Sequence, residues 1–340
     1  MISPIPSFVF GQDMRIQNIG AVRDGVVFIG NETNGQFVPV GTGFLINVMI
    51  GENYRVIFVV TAAHVISKIS GNTVYVRLNR KSGDAASVPI KEDKIIGWAE
   101  NDVAIIPIAL GSDVYEFRSL NIDEDQIAKA KEIFEGISYG DEVYAIGLYT
   151  SHYGLTRNIP VVRTGHVALL PGGEPVKGPG GNYVEAYLIE LRTIAGLSGS
   201  PVYLNPPRVT VKDKKIQFLD GDFYLPIGVL IGYHVVESKE DQVVVPRFQA
   251  GEHDDEPEED TDSPDQRNTG FGVVIPFERV MEMIKSFEPV FKKAVEEKKR
   301  ESNFRTASAS DLPATDENPT HREDFSRLLN VAARKPKQDG

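Results

Sequence analysis

The sequence predicts an all-β fold of the sandwich or barrel type, followed by a C-terminal helix. Short runs rich in β-branched and aromatic residues recur between residues 24 and 276, and Gly, Asn and Asp separate them as expected for hairpins. Strands at this spacing are typical of sandwiches and barrels rather than of parallel α/β folds. After Pro276 the apolar residues take a helical spacing, which predicts the helix.

The predicted strands form two groups along the chain. The first group is Val26–Ile29, Phe37–Asn47, Tyr54–Thr61, Thr73–Leu78 and Asp102–Ile108. The second group is Glu142–Gly147, Pro160–Leu170, Tyr183–Leu191, Pro201–Leu204, Pro226–Val236 and Phe271–Ile275. The grouping predicts two β halves, with a short helix over residues 122–136 between them.

One stretch inside the second half differs in composition from its surroundings. Residues 237–268 are dominated by acidic residues, Pro and Gln, a composition that buries too little apolar surface to offset chain entropy. We interpret them as a disordered acidic insertion. A calcium-binding loop is the more specific alternative, but the acidic residues lack the ligand spacing and the turn glycine of such a loop.

The C-terminal part is predicted to be helical and then polar. A helix is expected over residues 277–300, with Pro289 kinking or dividing it. Residues 301–320 are polar and expected to be disordered. Residues 321–334 could form a short amphipathic helix that docks on the body or on a partner.

Composition limits the classes of function. The chain has 340 residues, 41% of them hydrophobic, and a formal net charge of −12, which argues against nucleic-acid binding because phosphate contacts need clustered Lys and Arg. It has no cysteine, which fits either a reducing compartment or a core that needs no disulfides. The N-terminus lacks the regions of a signal peptide, and no apolar run approaches the roughly 20 residues of a membrane-spanning helix. We therefore expect a cytoplasmic protein that contacts neither membrane nor nucleic acid.

A tight turn around one serine is the strongest chemical signal. In Gly196-Leu-Ser-Gly-Ser-Pro201, glycines flank Ser198 and permit backbone angles that present a hydroxyl and its neighbouring N–H groups. Upstream lie Thr-Ala-Ala-His64 and Asn-Asp102-Val-Ala-Ile-Ile, so the order along the chain is His, Asp, Ser. That order, with His64 and Asp102 in the first half and Ser198 in the second, occurs in one convergent class of serine hydrolase.

These motifs and four further stretches resemble a trypsin-like serine peptidase of the bacterial, disulfide-free kind, nearest to the HtrA (Deg) protease domain. The stretches are Val40–Ile46, Val60–Val65, Gly140–Gly147 and Thr269–Pro276, in the order of that family. The resemblance implies two six-stranded antiparallel β-barrels, at about residues 15–115 and 137–276, within a peptidase domain of residues 1–292. Residues 293–340 would form a helical extension and a mostly disordered polar tail, with no room for the PDZ domain that usually follows.

The resemblance also implies roles for individual residues. His64 would take the Ser198 proton, Asp102 would orient the imidazole, and the N–H groups of Gly196 and Ser198 would form an oxyanion hole. The expected substrate is a protein or peptide, with no cofactor and no metal. An unrestrained peptidase would be hazardous in cytoplasm, which favours control by a partner or by an ordering transition.

The substrate pocket is the least specified part of the prediction. Its expected lining is Arg192, Ile231, Gly232 and Tyr233. Arg192 lies six positions before the serine, where a guanidinium could pair with an acidic P1 side chain. A one-residue shift would instead turn it to solvent, since neighbouring side chains on a strand face opposite ways, and an apolar P1 preference is then favoured.

Several alternatives remain open at the level of sequence. Ser200 is a competing nucleophile, although the family motif matches Ser198. An α/β-hydrolase would need a helix after the serine, and the continuation through Pro201, Pro206 and Pro207 is not helical. The rival from another class is a catalytically silent peptide-binding or scaffold protein on the same fold, and Leu197 and Ser200 are the departures that could reduce activity.

Overall fold

The computed structural model of the protein describes most of the chain from residue 18 to residue 308. The described residues are 18–50, 54–122, 134, 136–179, 181–192, 194–205, 209–212, 215–218, 224–237 and 266–308. Most of the predicted helix over residues 122–136 and the predicted helix over 321–334 lie outside these ranges. Among the described residues, no helix combines the length and the apolar character needed to cross a bilayer.

The N-terminal half is a curled sheet of eight strands. Its path runs β5-β4-β1-β2-β3-β7-β6, and β8 pairs with β2. Short helices α1 (Ile19–Val22) and α2 (Ala63–Ser67) flank it. The strands are β1 (Val26–Thr33), β2 (Gln36–Ile50), β3 (Tyr54–Ala62), β4 (Thr73–Asn79), β5 (Ala85–Lys91), β6 (Ile96–Trp98), β7 (Val103–Ile108) and β8 (Leu120–Ile122).

The prediction of a closed, wholly antiparallel N-terminal barrel is not confirmed. The edge strands β5 and β6 are joined by residues 92–95, which span at most about 18 Å, so the sheet curls back on itself. The two edges nevertheless form no ladder in the described chain, because β6 has only three residues and pairs with β7 alone. In addition, β8 runs parallel to β2. It pairs with β2 from Ile46 to Val48, which lies beyond the end of the β1–β2 ladder at Phe44.

The C-terminal half is a closed six-stranded barrel in the order β10-β13-β18-β17-β14-β9. Two hairpins, β11–β12 and β15–β16, form separate two-stranded sheets. The strands of this half are β9 (Glu142–Gly147), β10 (Val161–Leu169), β11 (Val176–Lys177), β12 (Tyr183–Val184), β13 (Tyr187–Glu190), β14 (Ser200–Asn205), β15 (Val209–Lys212), β16 (Lys215–Phe218), β17 (Leu225–Glu237) and β18 (Gln266–Pro276). One barrel of the two that the sequence predicts is therefore present.

The strands on either side of the predicted acidic insertion extend into its expected range. Its first residue, Glu237, ends β17 and pairs with Gln266, and the ladder continues through Val235 and Asn268. The expected boundaries at 237 and 268 are therefore wrong, because cross-strand hydrogen bonds extend the two strands past the apolar residues that marked their ends. Residues 238–265 lie outside the described ranges.

The C-terminal helix α3 (Phe277–Ser308) is longer than the sequence predicts and is not divided at Pro289. Residues 301–308 are helical, so the expectation of disorder is wrong for them. A proline inside a helix costs about 3 kcal/mol, but packing on both sides of it stabilises the helix here. Ile284 and Phe291 are buried in the core, and the Phe291 ring meets the Phe58 ring edge-on at 5.3 Å.

Strand β1 contributes to two cores because both of its faces are buried. Val27 and Ile29 face the core of the N-terminal sheet, while Val26 and Phe28 belong to a separate cluster with residues of the C-terminal barrel. We call that cluster the junction core; its buried members are Val22, Val26, Phe28, Ile146, Leu148 and Tyr203. The junction core joins the half that carries His64 and Asp102 to the half that carries Ser198.

Truncation of the buried ring in the junction core tests how strongly the two halves support each other. We expect Phe28→Ala to lower the free energy of unfolding by about 3–5 kcal/mol, because a side chain with no exposed surface leaves a cavity. Urea unfolding measures the loss. The control Tyr183→Ala removes a ring that is 70% exposed and should change stability by less than about 0.5 kcal/mol. Equal effects of the two changes would contradict the junction core.

Candidate active site

The register between β3 and β7 brings His64 and Asp102 together. Ala62 pairs with Val103, the last and first residues of two antiparallel neighbours. His64 follows in the first turn of α2 and Asp102 directly precedes β7, so both leave the sheet at the same edge. The backbone N–H of Ala63 donates to the Asp102 carbonyl at 2.9 Å, which continues the ladder to the site.

The Asp102 carboxylate holds His64 through two hydrogen bonds. Oδ1 accepts from the His64 backbone N–H at 2.8 Å, and Oδ2 lies 2.6 Å from Nδ1 of the ring. A carboxylate only accepts, so this contact favours the hydrogen on Nδ1 and leaves Nε2 as an acceptor. Asp102 takes a left-handed backbone conformation with φ of 51°, which Asp tolerates better than most residues. The ring is therefore fixed in orientation and in tautomer.

Two glycines with positive φ shape the turn that carries Ser198. Gly196 has φ of 93° and Gly199 has φ of 88°. The N–H of Ser200 donates to the Leu197 carbonyl at 2.9 Å, which closes the turn, and the N–H of Gly199 donates to Leu230 of β17 at 2.7 Å. A Cβ on Gly199 would overlap the Thr42 carbonyl, so this position requires glycine for space as well as for φ.

Thr42 of β2 binds this turn to the N-terminal half with its N–H and its hydroxyl. Its N–H donates to the Ser198 carbonyl at 2.9 Å, and its hydroxyl donates to the Gly196 carbonyl at 2.7 Å. The same hydroxyl accepts from the Leu148 N–H at 2.8 Å, and the Thr42 carbonyl accepts from the Thr61 hydroxyl at 2.7 Å. Both threonines are fully buried. The serine turn is thus held across the boundary between the two halves.

Gly41 allows the helix that carries His64 to approach the serine turn. A Cβ at Gly41 would come within 2.6 Å of both methyl groups of Val65 and within 3.2 Å of the Ser198 carbonyl. Val65 is the next residue after His64, so a single glycine separates α2 from the turn. Within the described part of the chain, the Ser198 hydroxyl makes no hydrogen bond.

Two backbone N–H groups of the turn have no acceptor in the described chain. They are those of Gly196 and Ser198, whereas the N–H groups of Leu197, Gly199 and Ser200 are all bonded. Free, neighbouring N–H donors beside a serine hydroxyl are the groups that stabilise an oxyanion.

Comparison with known families agrees with this geometry. Residues 41–208, which contain His64, Asp102 and Ser198, match the model of the trypsin-like peptidase domain. This part of the chain is similar to that family. No curated protein sequence matches the chain significantly.

Three solved structures of proteases show a distant similarity to the chain. The MamO protease domain from Magnetospirillum magneticum, in its apo form, is 16% identical, with 61% of this chain and 93% of that chain covered and a TM-score of 0.36. The HtrA-type protease AlgW with a decapeptide is 13% identical, with 79% and 65% covered and a TM-score of 0.42. The Rv3671c protease in an inactive form is 16% identical, with 79% and 91% covered and a TM-score of 0.40.

Ser200, the competing serine of the peptidase domain, is enclosed. It has no exposed surface, its Oγ points at the position where Gly147 lacks a side chain, and that Oγ has no hydrogen-bond partner in the described chain. A hydroxyl walled off in this way meets neither substrate nor an imidazole base. The Ser200 side chain packs inward against Gly147.

The four residues expected to line the pocket have different environments. Arg192 is exposed and follows Leu191, which is buried in the barrel core. Ile231 is fully buried, so only its backbone could reach a substrate. Gly232 has φ of 142°, and a Cβ there would come within 2.7 Å of Pro179, beyond the β11 strand. Tyr233 is half-buried.

Metal binding has no support in the described ranges, where no group of three or more His, Asp or Glu residues is placed to hold an ion.

The structural roles of Thr42 and Gly41 were not anticipated. The signal was present in the stretch Val40–Ile46, where a threonine between two glycines interrupts an apolar strand.

Replacement of Thr42 tests whether its hydroxyl secures the turn. We expect Thr42→Val to lower the free energy of unfolding by about 1–3 kcal/mol for each of the two buried groups, the Gly196 carbonyl and the Leu148 N–H, that lose a partner. Urea unfolding gives the value. Thr42→Ser retains the hydroxyl and should lose less than half as much, and a larger loss for serine than for valine would contradict the role.

Proposed function

We propose that the protein is a serine endopeptidase that hydrolyses peptide bonds of a protein or peptide substrate through an acyl-enzyme. Ser198 is the nucleophile, His64 the general base and acid, and Asp102 the residue that orients the imidazole. The N–H groups of Gly196 and Ser198 form the oxyanion hole. The observation that carries the proposal is the pair of hydrogen bonds from His64 to the Asp102 carboxylate, beside a turn that presents a serine.

The chemistry follows from what each group can do at its position. A serine hydroxyl is a weak nucleophile, so a base must take its proton as Oγ bonds to the substrate carbonyl carbon. Nε2 of His64 takes that proton, and Asp102 stabilises the resulting imidazolium. The carbonyl oxygen becomes negative within reach of the two N–H groups. When this tetrahedral intermediate collapses, the C–N bond breaks and the proton on Nε2 passes to the leaving amine.

The second half of the reaction reuses the same groups. Water enters, gives a proton to Nε2 of His64, and its oxygen bonds to the acyl carbon. The oxyanion again lies at the Gly196 and Ser198 N–H groups. Collapse releases the carboxylic acid product and returns the proton to Ser198 Oγ.

The end of the β14–β17 ladder indicates where a substrate strand would lie. Ser200, the first residue of β14, pairs with Leu230 of β17. Residues 231–233 of β17 therefore continue past the end of β14, beside the serine turn. An extended peptide that pairs with this segment would place its carbonyl next to Ser198, by strand addition to a sheet edge.

Covalent labelling by a fluorophosphonate tests the proposal. We expect the wild type to be labelled once per chain and Ser198→Ala to show no labelling, because the reagent requires an activated hydroxyl. Intact-protein mass spectrometry measures the adduct. Ser200→Ala should be labelled like the wild type, since that hydroxyl is buried.

Asp102→Asn tests the residue that orients the base, His64. Asn also tolerates positive φ and can still accept from the His64 backbone, but it favours the wrong imidazole tautomer, so labelling should slow by about 10³–10⁴-fold. A wild type that is not labelled would contradict the proposal and favour a catalytically silent peptide-binding protein on this fold.

The exposed position of Arg192 generates a prediction about specificity. Because Leu191 faces the barrel core, the neighbouring Arg192 faces outward, and we propose an apolar P1 preference that does not depend on the guanidinium. Profiling a peptide library with wild type and Arg192→Ala should give the same apolar P1 preference in both. An acidic preference that disappears in Arg192→Ala would instead place the guanidinium in the pocket.

A further inference from the structure

Arg77 is a buried cation that pairs with no acidic side chain among the described residues. It lies on β4 between Val76 and Leu78, whose side chains enter the core of the N-terminal sheet, so Arg77 points to the opposite face. It is 6% exposed, and no carboxylate of the described chain forms an ion pair with it. A buried charge of this kind is costly unless other groups replace its water.

The groups that replace water belong mainly to the 148–160 loop, which joins β9 to β10 of the C-terminal barrel. The guanidinium donates to the carbonyls of Gly154 and Leu155, each at 3.0 Å, and to Oδ1 of Asn158 at 3.1 Å. It also lies over the rings of Tyr153 and Phe37, at 5.3 and 5.7 Å from their centres. Three oxygen acceptors and two aromatic faces therefore compensate the charge.

The C-terminal part of the 148–160 loop makes further hydrogen bonds to strands of the N-terminal sheet. Asn158 donates from Nδ2 to the Arg77 carbonyl at 2.7 Å, and its backbone N–H donates to Oδ1 of Asn79 at 2.7 Å. The N–H of Ala85 in β5 donates to the Thr156 carbonyl, also at 2.7 Å. The C-terminal part of the 148–160 loop is thus bound to the edge of the N-terminal sheet.

The N-terminal end of the 148–160 loop supports the serine turn, whose Gly196 and Ser198 N–H groups are the proposed oxyanion donors; we call it the oxyanion turn below. The Leu148 N–H donates to the Thr42 hydroxyl, which in turn donates to the Gly196 carbonyl. A Cβ at Gly196 would lie 2.9 Å from Leu148 and 3.0 Å from Thr150, so both side chains pack directly on that glycine. Any displacement of Leu148 and Thr150 changes the wall that holds Gly196.

We propose that Arg77 is a positioning residue for the oxyanion turn, acting through the 148–160 loop that it anchors. The guanidinium touches none of the reacting atoms; it fixes one end of the loop while the other end packs on Gly196. This inference rests on the proposed peptidase function. It assigns a role in catalysis to a residue in the half of the molecule opposite the turn.

The test compares labelling rates of Arg77 variants with fluorophosphonate. We expect Arg77→Met to lower the second-order rate constant for labelling of Ser198 by about ten- to a hundredfold, because a misplaced oxyanion donor costs rate steeply. The pH profile of labelling should keep its midpoint, since the β3–β7 register and not the loop holds His64. Rates are measured well below the melting temperature of each variant.

Two controls separate positioning from loss of stability. Val76→Ala removes core volume from the same strand but on its other face, so it should lower the melting temperature and leave the labelling rate within about twofold of wild type. Arg80→Met removes an exposed arginine of the same sheet edge, paired with Asp84, and should change neither quantity. Arg77→Lys provides a variant that keeps the charge if Arg77→Met does not fold. An ammonium lacks the planar fork, so its rate should also fall.

Amide hydrogen exchange tests the coupling without catalysis. The Leu148 N–H, bonded to Thr42, should exchange at least about tenfold faster in the Arg77 variants than in Val76→Ala if the anchor holds the loop. Wild-type labelling rates in the Arg77 variants would overturn the inference and leave the peptidase proposal intact. A wild type that is not labelled would overturn the peptidase proposal, and unchanged exchange at Leu148 would then overturn the anchoring as well.

Discussion

Thr42 joins the serine turn to the N-terminal sheet with its N–H and its hydroxyl, and the geometry of the site depends on these bonds. Ser198 and Gly196 belong to the connection that enters β14 of the barrel, whereas Thr42 belongs to β2 of the sheet. Its bonds to the carbonyls of Gly196 and Ser198 fix the peptide groups that follow these two residues, next to the peptide groups that carry the Gly196 and Ser198 N–H donors. Because Thr42 is fully buried, water cannot replace a lost partner, so the arrangement is held by the cost of leaving polar groups unpaired.

The site is divided between two halves, and each half supplies its part by a different physical means. In the N-terminal sheet, strand register aligns the end of β3 with the start of β7, so His64 meets Asp102 at a sheet edge. In the barrel, positive φ at Gly196 and Gly199 forms the turn that presents Ser198. The junction core and Thr42 then determine how closely the two parts approach. Gly41 permits that approach, since a side chain there would collide with Val65.

Much of the fold could be predicted from local pattern, and the errors have identifiable causes. Alternation and β-branched runs located most strands, but the closing of a sheet depends on whether two distant edges form a ladder. The short β6 pairs with β7 alone, so the N-terminal sheet curls without closing in the described chain. Proline propensity predicted a kink or a division at Pro289, yet α3 is not divided there, because Phe291 packs on Phe58 beyond it. Tertiary packing outweighed local propensity in that helix.

The sequence by itself determined the all-β character, the order His64, Asp102, Ser198, and the glycine turn, because each depends on residue type and spacing over a few positions. Only the tertiary structure decided that Ser200 is enclosed, that Ile231 is buried, and that Arg77 contacts the 148–160 loop. Arg77 and Asn158 lie 81 positions apart, and no local pattern encodes such a pairing. Contacts of this kind arise when the whole chain packs, since a buried polar group must find its partner wherever the fold places one.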